Sequence, residues 1–179
     1  MKKSVLILTV IIGFVACKND KIVNTEKVTS PIKIEEDDKE LVVKLGFKTN
    51  KNDVFKIMVN NIVVDELQKK NIHVIEEVVP TSGVDDITAN FGVNNISNNI
   101  LIHLGNKAVK EVEIVDMTVS YGKNRISLKT PEDQNKYLIF NKFIDKDTTT
   151  VKLKTKRVDG THNPVIYFKR NLINLLTKE

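Results

Sequence analysis

Three histidines, one cysteine and scattered carboxylates are the side chains in this chain best suited to catalysis or metal binding. A hydrolase needs an acid, base or nucleophile held in a defined geometry. His73, His103 and His162 stand far apart, and no His-Glu-x-x-His pair, Gly-x-Ser-x-Gly turn, phosphate loop or Gly-x-Gly-x-x-Gly run is present. His73 and His103 each fall in an alternating segment, on the side opposite its main apolar set, as half-exposed strand histidines do. Asp85 and Asp86 in "PTSGVDD", with Asn90 nearby, offer oxygens of the kind calcium takes. Their spacing lacks the alternation of a calcium loop, and a solvated turn is the expected role. No catalytic residue, metal site or cofactor is assigned, and the chain is not expected to be an enzyme.

Binding chemistry is better represented. "NNISNN" places the amides of Asn94, Asn95, Asn98 and Asn99 in one loop, where they suit sugar hydroxyls. Glycan sites usually add an aromatic face. Tryptophan is absent, and among Tyr121, Tyr137 and Tyr167 the first begins a turn and is expected to be exposed. Core packing is the expectation for Tyr167. Lys152, Lys154 and Lys156 project from one side of a strand, followed by Arg157. Such a stripe suits an acidic polysaccharide or anionic headgroups. The plainer alternative is that it guards an edge strand against aggregation.

The cysteine has its own context. Met1-Lys2-Lys3 is a positive start, and Val5–Val15 is apolar apart from Thr9 and Gly13. The run is too short to cross a bilayer, which takes about 20 residues. It reads as an export signal. It ends in Phe14-Val15-Ala16-Cys17, which resembles the lipobox of bacterial lipoproteins. That family usually has Leu where Phe14 stands. The resemblance implies that the Cys17 sulfur carries diacylglycerol, that cleavage falls before it, and that the new N-terminus is acylated. Two or three acyl chains anchor a protein firmly. Cys17 is the only cysteine, so no intramolecular disulfide can form. Lys18 stands where Asp would resemble an inner-membrane retention signal, so outer-membrane anchoring is expected, on either the surface or the periplasmic face. Lys18-Asn19-Asp20 is similar to the charged export signals of Bacteroidetes surface lipoproteins.

The 28 basic and 23 acidic residues give a net charge of +5, and removing Lys2 and Lys3 lowers it. The charges are mixed rather than clustered, which argues against nucleic acid as a partner. Residues 18–39 are polar, contain Pro31 and the run Glu35-Glu36-Asp37-Asp38, and read as a tether. The expected organisation is residues 1–16 signal, 17–39 acylated cysteine and tether, and 40–179 a folded domain.

From Leu41 the apolar period is two: Leu41, Val43, Leu45 and Phe47, then Phe55, Ile57 and Val59, closed by Asn60-Asn61. Ile62–Lys70 fits a short strand or a helical turn. Ile72, Val74 and Val78 share one strand face, while His73, Ile75 and Val79 share the other. Ile87–Phe91, then Ile100, Ile102 and Leu104, continue the pattern. In Val112–Val119 the apolar parity slips between Ile114 and Val115, which predicts a β-bulge. Tyr121–Asn124 reads as a turn. Asn163-Pro164 can cap a helix, with Val165, Phe168, Leu172, Leu175 and Leu176 at helical spacing; alternatively "VIYF" is a strand before a shorter helix.

Many short strands with polar turns predict a mainly β protein, a single antiparallel β-sandwich or jelly roll with a short C-terminal helix. "DVFKIMVNN", "ILIHLGN" and "KEVEIVDMTVSYG" resemble segments of β-sandwich lipoproteins of Bacteroidetes. That resemblance implies no catalytic residues. The expected function is non-catalytic binding of a glycan or protein partner by an envelope lipoprotein. The alternative is a structural subunit of an outer-membrane complex.

Overall fold

The structure of the protein, a computed structural model, describes residues 39–178. The expected signal, Cys17 and almost all of the tether lie outside the described residues.

Two antiparallel sheets face each other, and the protein is a β-sandwich. The first sheet contains β1 (Glu40–Thr49), β4 (Asp85–Val93), β6 (Glu111–Tyr121), β7 (Asn124–Ser127), β9 (Ile144–Lys146) and β10 (Lys152–Thr155). Its order is β4-β1-β6-β10-β9, with β7 also paired to β6. The second contains β2 (Asp53–Val63), β3 (Lys69–Val78), β5 (Asn99–His103), β8 (Leu138–Phe140) and β11 (Val165–Phe168), in the order β3-β2-β5-β11-β8. Two helices, α1 (Pro131–Tyr137) and α2 (Arg170–Leu176), complete it.

The period-two apolar residues are what the sheets bury against each other. Leu41, Val43, Leu45 and Phe47 of β1 meet Phe55, Ile57 and Val59 of β2, all at most 1% exposed. The rings of Phe47 and Phe55 lie 5.1 Å apart at 40°. Ile87, Ala89 and Phe91 of β4, and Ile100 and Ile102 of β5 with Leu104 just beyond it, extend the layer.

The bulge falls where the parity slips. Gly46 pairs with Asp116 but Phe47 pairs with Ile114, so Val115 has no partner on β1. That extra residue lets Val112 and Ile114 point inward together with Met117 and Val119. Helix α1 sits over the irregularity. Gln134, fully buried, donates through Nε2 to the Ile114 carbonyl at 3.1 Å. A capping box starts the helix: the Asp133 amide donates to Thr130 Oγ1 at 3.1 Å, the Thr130 amide donates back to the Asp133 carboxylate, and Pro131 opens the first turn.

Three readings are corrected. Asn60-Asn61 do not end β2; Asn61 takes a φ of 58° at a register shift, and β2 runs on into a hairpin with β3. Asn163-Pro164 do not cap a helix. "VIYF" is β11, and α2 begins only at Arg170, burying Leu172, Ile173 and Leu176. Asp85 and Asp86 open β4 rather than sitting in a loop. Consecutive strand residues face opposite ways, so these two carboxylates cannot converge on one cation.

Candidate functional site

The residues singled out for binding do not assemble into one site. Asn94 adopts a φ of 56°, and its amide donates to the Lys39 carbonyl at 2.9 Å. Asn95 turns back and donates through Nδ2 to the Phe91 carbonyl at 2.7 Å. Both amides shape the turn out of β4. Asn98 is exposed, while Asn99 belongs to β5 and stands opposite Asn60 of β2. Tyr121 is half-buried against the core at the end of β6, not exposed. The exposed tyrosine is Tyr167, at 38%.

The lysine stripe exists but is matched by acids. Lys152 stands opposite Glu113, and Lys154 stands between Glu111 and Asp145. Lys156 lies past the end of β10 and forms an ion pair with Asp145. β10 lies between β6 and β9, so the lysines do not guard an edge. Cys17 lies outside the described residues.

A different surface emerges from register. On the outer face of the second sheet, His73 of β3 pairs with Met58 of β2, and Met58 with Leu101 of β5. Leu101 pairs with Tyr167 of β11, and Tyr167 with Ile139 of β8. One cross-strand row thus runs over all five strands, about 19 Å at the usual strand spacing. Tyr167, Ile139 and His73 are exposed, while Met58 and Leu101 are half-buried. The adjacent row on one side is Ile75, Lys56 and His103, and on the other Asn60 and Asn99. Asn60 Oδ1 is buried and has no hydrogen-bond partner.

His103 is fixed within this face. The Gly105 amide donates to Nδ1 at 3.1 Å, so Nε2 carries the proton and donates to Asn163 Oδ1 at 2.6 Å. Burial holds the imidazole below its ordinary pKa, against the hydrogen bond it donates to Asn163, with the Lys56 charge adding to the fall. The ring is therefore neutral at pH 7 and offers a flat, uncharged surface.

Beneath the same end of β5 lies a buried ion pair. Asp53 Oδ2 and Lys110 Nζ are 2.6 Å apart, with side chains 1% and 0% exposed. Lys110 also donates to the Leu104 carbonyl at 2.9 Å. The Asp53 carboxylate accepts from the amides of Val54, Lys107 and Ala108. Burial alone would raise Asp53, but the Lys110 bond and these amides outweigh it and hold the carboxyl below its ordinary value. Burial also pushes Lys110 below the usual amine value, against the pull of Asp53. The pair ties β2 of one sheet to the chain entering β6 of the other. Buried this completely, it meets no substrate.

The sequence missed both features. Met58, Leu101, Tyr167 and Ile139 each alternate with a core residue, which is the available signal, but their alignment depends on long-range register. Asp53 opens β2 and Lys110 precedes β6, far apart in the chain, with nothing local to join them. Among the described residues, no group of three or more histidine, cysteine, aspartate or glutamate side chains is placed to hold a metal ion.

Fold and surface together define an antiparallel β-sandwich with one charge-matched outer face and one partly apolar outer face. No protein family matches the chain, and searches of curated proteins and of solved structures likewise return no match.

Proposed function

We propose that this chain is a non-catalytic envelope lipoprotein that docks a protein partner on the outer face of its second sheet. The observation that carries this reading is the row His73–Met58–Leu101–Tyr167–Ile139. Interface cores are rich in tyrosine and methionine and poor in lysine and glutamate, as this row is. A glycan chain is the second reading, favoured by the neighbouring Asn60 and Asn99 but served by a single exposed tyrosine. Anchoring through acyl chains on Cys17, in the outer membrane, rests on the lipobox-like "FVAC". It suits a folded part in which, among the described residues, no helix is long and apolar enough to cross a membrane.

Site-specific photocrosslinking in intact cells tests the docking. A crosslinker at Tyr167 is expected to give a discrete protein adduct that Leu101→Asp abolishes. The same group at Lys44, exposed on the first sheet, is expected to give none. Equal adducts from both positions, or none from Tyr167, would overturn the protein reading. Loss of glycan-array binding in Tyr167→Ala would replace it with the sugar reading. Mass spectrometry of the mature N-terminus tests the anchor, and an unmodified Cys17 thiol removes it.

A further inference from the structure

The β2–β3 hairpin exposes apolar side chains in a way the docking face does not account for. β2 pairs with β5 as far as Asn60↔Asn99. Beyond that point β2 and β3 continue alone, through Ile62↔Lys70 and Val63↔Lys69, so the tip projects past its neighbour. At the tip Leu67 is 95% exposed, Val63 69% and Val64 54%.

The turn is not loose. Asp65 Oδ1 accepts from the amides of Leu67 and Gln68, each at 2.8 Å. The amides of Val64 and Asp65 both donate to the Gln68 carbonyl. Ile62, 2% exposed, roots the hairpin in the core. A fixed scaffold thus holds three aliphatic side chains in water.

The position of the tip indicates what covers it. The chain enters the sandwich at Lys39 and Glu40. The strand ends there are the start of β1, the end of β4 and the end of β6, by the pairs Glu40↔Val93 and Leu41↔Tyr121. β2 runs antiparallel to β1 after a short loop at the opposite end, so the hairpin tip belongs to the end where the chain enters. Lys69 and Lys70 flank it. Lys123 and Arg125 lie in and just after the β6–β7 turn at that end, and Asn124 Nδ2 bonds the carbonyls of Leu176 and Lys178, which brings Lys178 there too. Among the described residues the acids at this end are Glu40, Asp65 and Glu66, and the run Glu35-Glu36-Asp37-Asp38 directly precedes Lys39 in the sequence, so the charge at this end is mixed. Apolar side chains held in water at the end where the tether joins the sandwich match the apolar boundary of a bilayer.

We infer that the hairpin tip, Val63, Val64 and Leu67, dips into the membrane surface as a second contact beside the acyl anchor. The inference rests on the lipoprotein reading. About 20 residues separate Cys17 from Lys39, and even a fully extended chain of that length spans at most about 70 Å. An anchor at Cys17 therefore holds the sandwich within that reach of the bilayer, and the chain joins the sandwich at this end. With the tip inserted, the outer face of the second sheet remains clear of lipid for a partner.

The experiment uses the full acylated protein in vesicles of phosphatidylcholine and phosphatidylglycerol. Cys17 is the only cysteine, so once it is acylated an introduced Leu67→Cys is the one thiol that takes a nitroxide label. Lys51→Cys, exposed in the β1–β2 loop at the opposite end, is the control. Apolar oxygen is expected to reach the label at position 67 more readily than a polar nickel complex, with the order reversed at position 51. Adding Val63→Asp and Val64→Asp is expected to cut that depth signal on the order of tenfold. A label at 67 as open to nickel as that at 51 overturns the insertion while the anchor stands. Shielding from both reagents points to a protein at the tip and equally overturns it. Labelling of the wild-type chain at Cys17 shows an unacylated thiol, and then anchor and insertion fall together.

Discussion

Gly105 shows how a single residue can be dictated by a distant one. It takes a φ of +76°, and a Cβ placed there would stand 1.9 Å from Asp53 Oδ1. Gly160 has nearly the same φ, +75°, but nothing within 4 Å of that added carbon. The two separate backbone strain from collision. Gly160→Ala is expected to cost about 1–2 kcal/mol, the usual penalty for a left-handed non-glycine residue. Gly105→Ala is expected to cost more than that, because it also displaces the carboxylate of the buried ion pair. Urea midpoints of the two variants check this, and equal losses would show that Asp53 gives way. The pair itself is asymmetric. Lys110→Met leaves Asp53 with its backbone amide donors, whereas Asp53→Ala leaves the buried ammonium without a counter-charge, held only by the Leu104 carbonyl, and strips those amides of their acceptor. Both are expected to destabilise, by up to about 3–5 kcal/mol for a broken buried pair, with Asp53→Ala the worse. The pH sign follows from the lowered carboxyl. A group with a depressed folded pKa gives stability above its unfolded value, 3.8, and loses it as pH falls through the folded value. Wild-type stability is therefore expected to drop more steeply below about pH 4 than that of Asp53→Ala, read from urea midpoints at pH 3 and pH 6.

At the scale of elements, the legible parts are those with enough repeats to show a period. β1, β2 and β3 carry three or more alternations each, and the slip at Ile114-Val115 was visible because β6 has apolar residues on both sides of it. β8 and β9, with three residues each, are too short to show a period. Val63–Gln68 contains Val, Asp, Glu and Leu in an order that suits a helical turn as well as a hairpin; the pairing of β2 with β3 decided it. α1 carries a short local signal, Thr130-Pro131 followed by Asp133. Its role is specific: Gln134 supplies the donor for the Ile114 carbonyl beside the bulge. Thr130→Ala is expected to cost about 0.5–2 kcal/mol through the lost cap. Gln134→Leu is expected to cost about 1–3 kcal/mol by leaving that carbonyl unpaired. Hydrogen exchange locates the damage: Gln134→Leu is expected to speed exchange at Val115–Met117 and leave β2 unchanged. Uniform acceleration would mean that the helix supports the whole fold rather than the bulge.

For the whole molecule, the informative feature is the difference between its two outer faces. The first sheet turns outward a patchwork in which Lys152 meets Glu113 and Lys154 meets Glu111 and Asp145. The second turns outward Met58, Leu101, Tyr167 and Ile139, although each belongs to a strand whose other side already supplies the core. If those residues served stability, their removal would be felt throughout the domain. If they serve binding, the fold should barely register it, since exposed changes on a sheet usually stay within about 0.5 kcal/mol each. A triple variant, Met58→Thr, Leu101→Thr and Tyr167→Thr, separates these cases, because threonine keeps strand propensity while removing most of the apolar surface. It is expected to retain the circular dichroism spectrum and to lower the urea midpoint only slightly, since Met58 and Leu101 are half-buried. The partner adduct in cells is expected to vanish. A variant that unfolds would make the row part of the sandwich's own packing, and one that folds yet still captures the partner would move the docking site elsewhere on the surface.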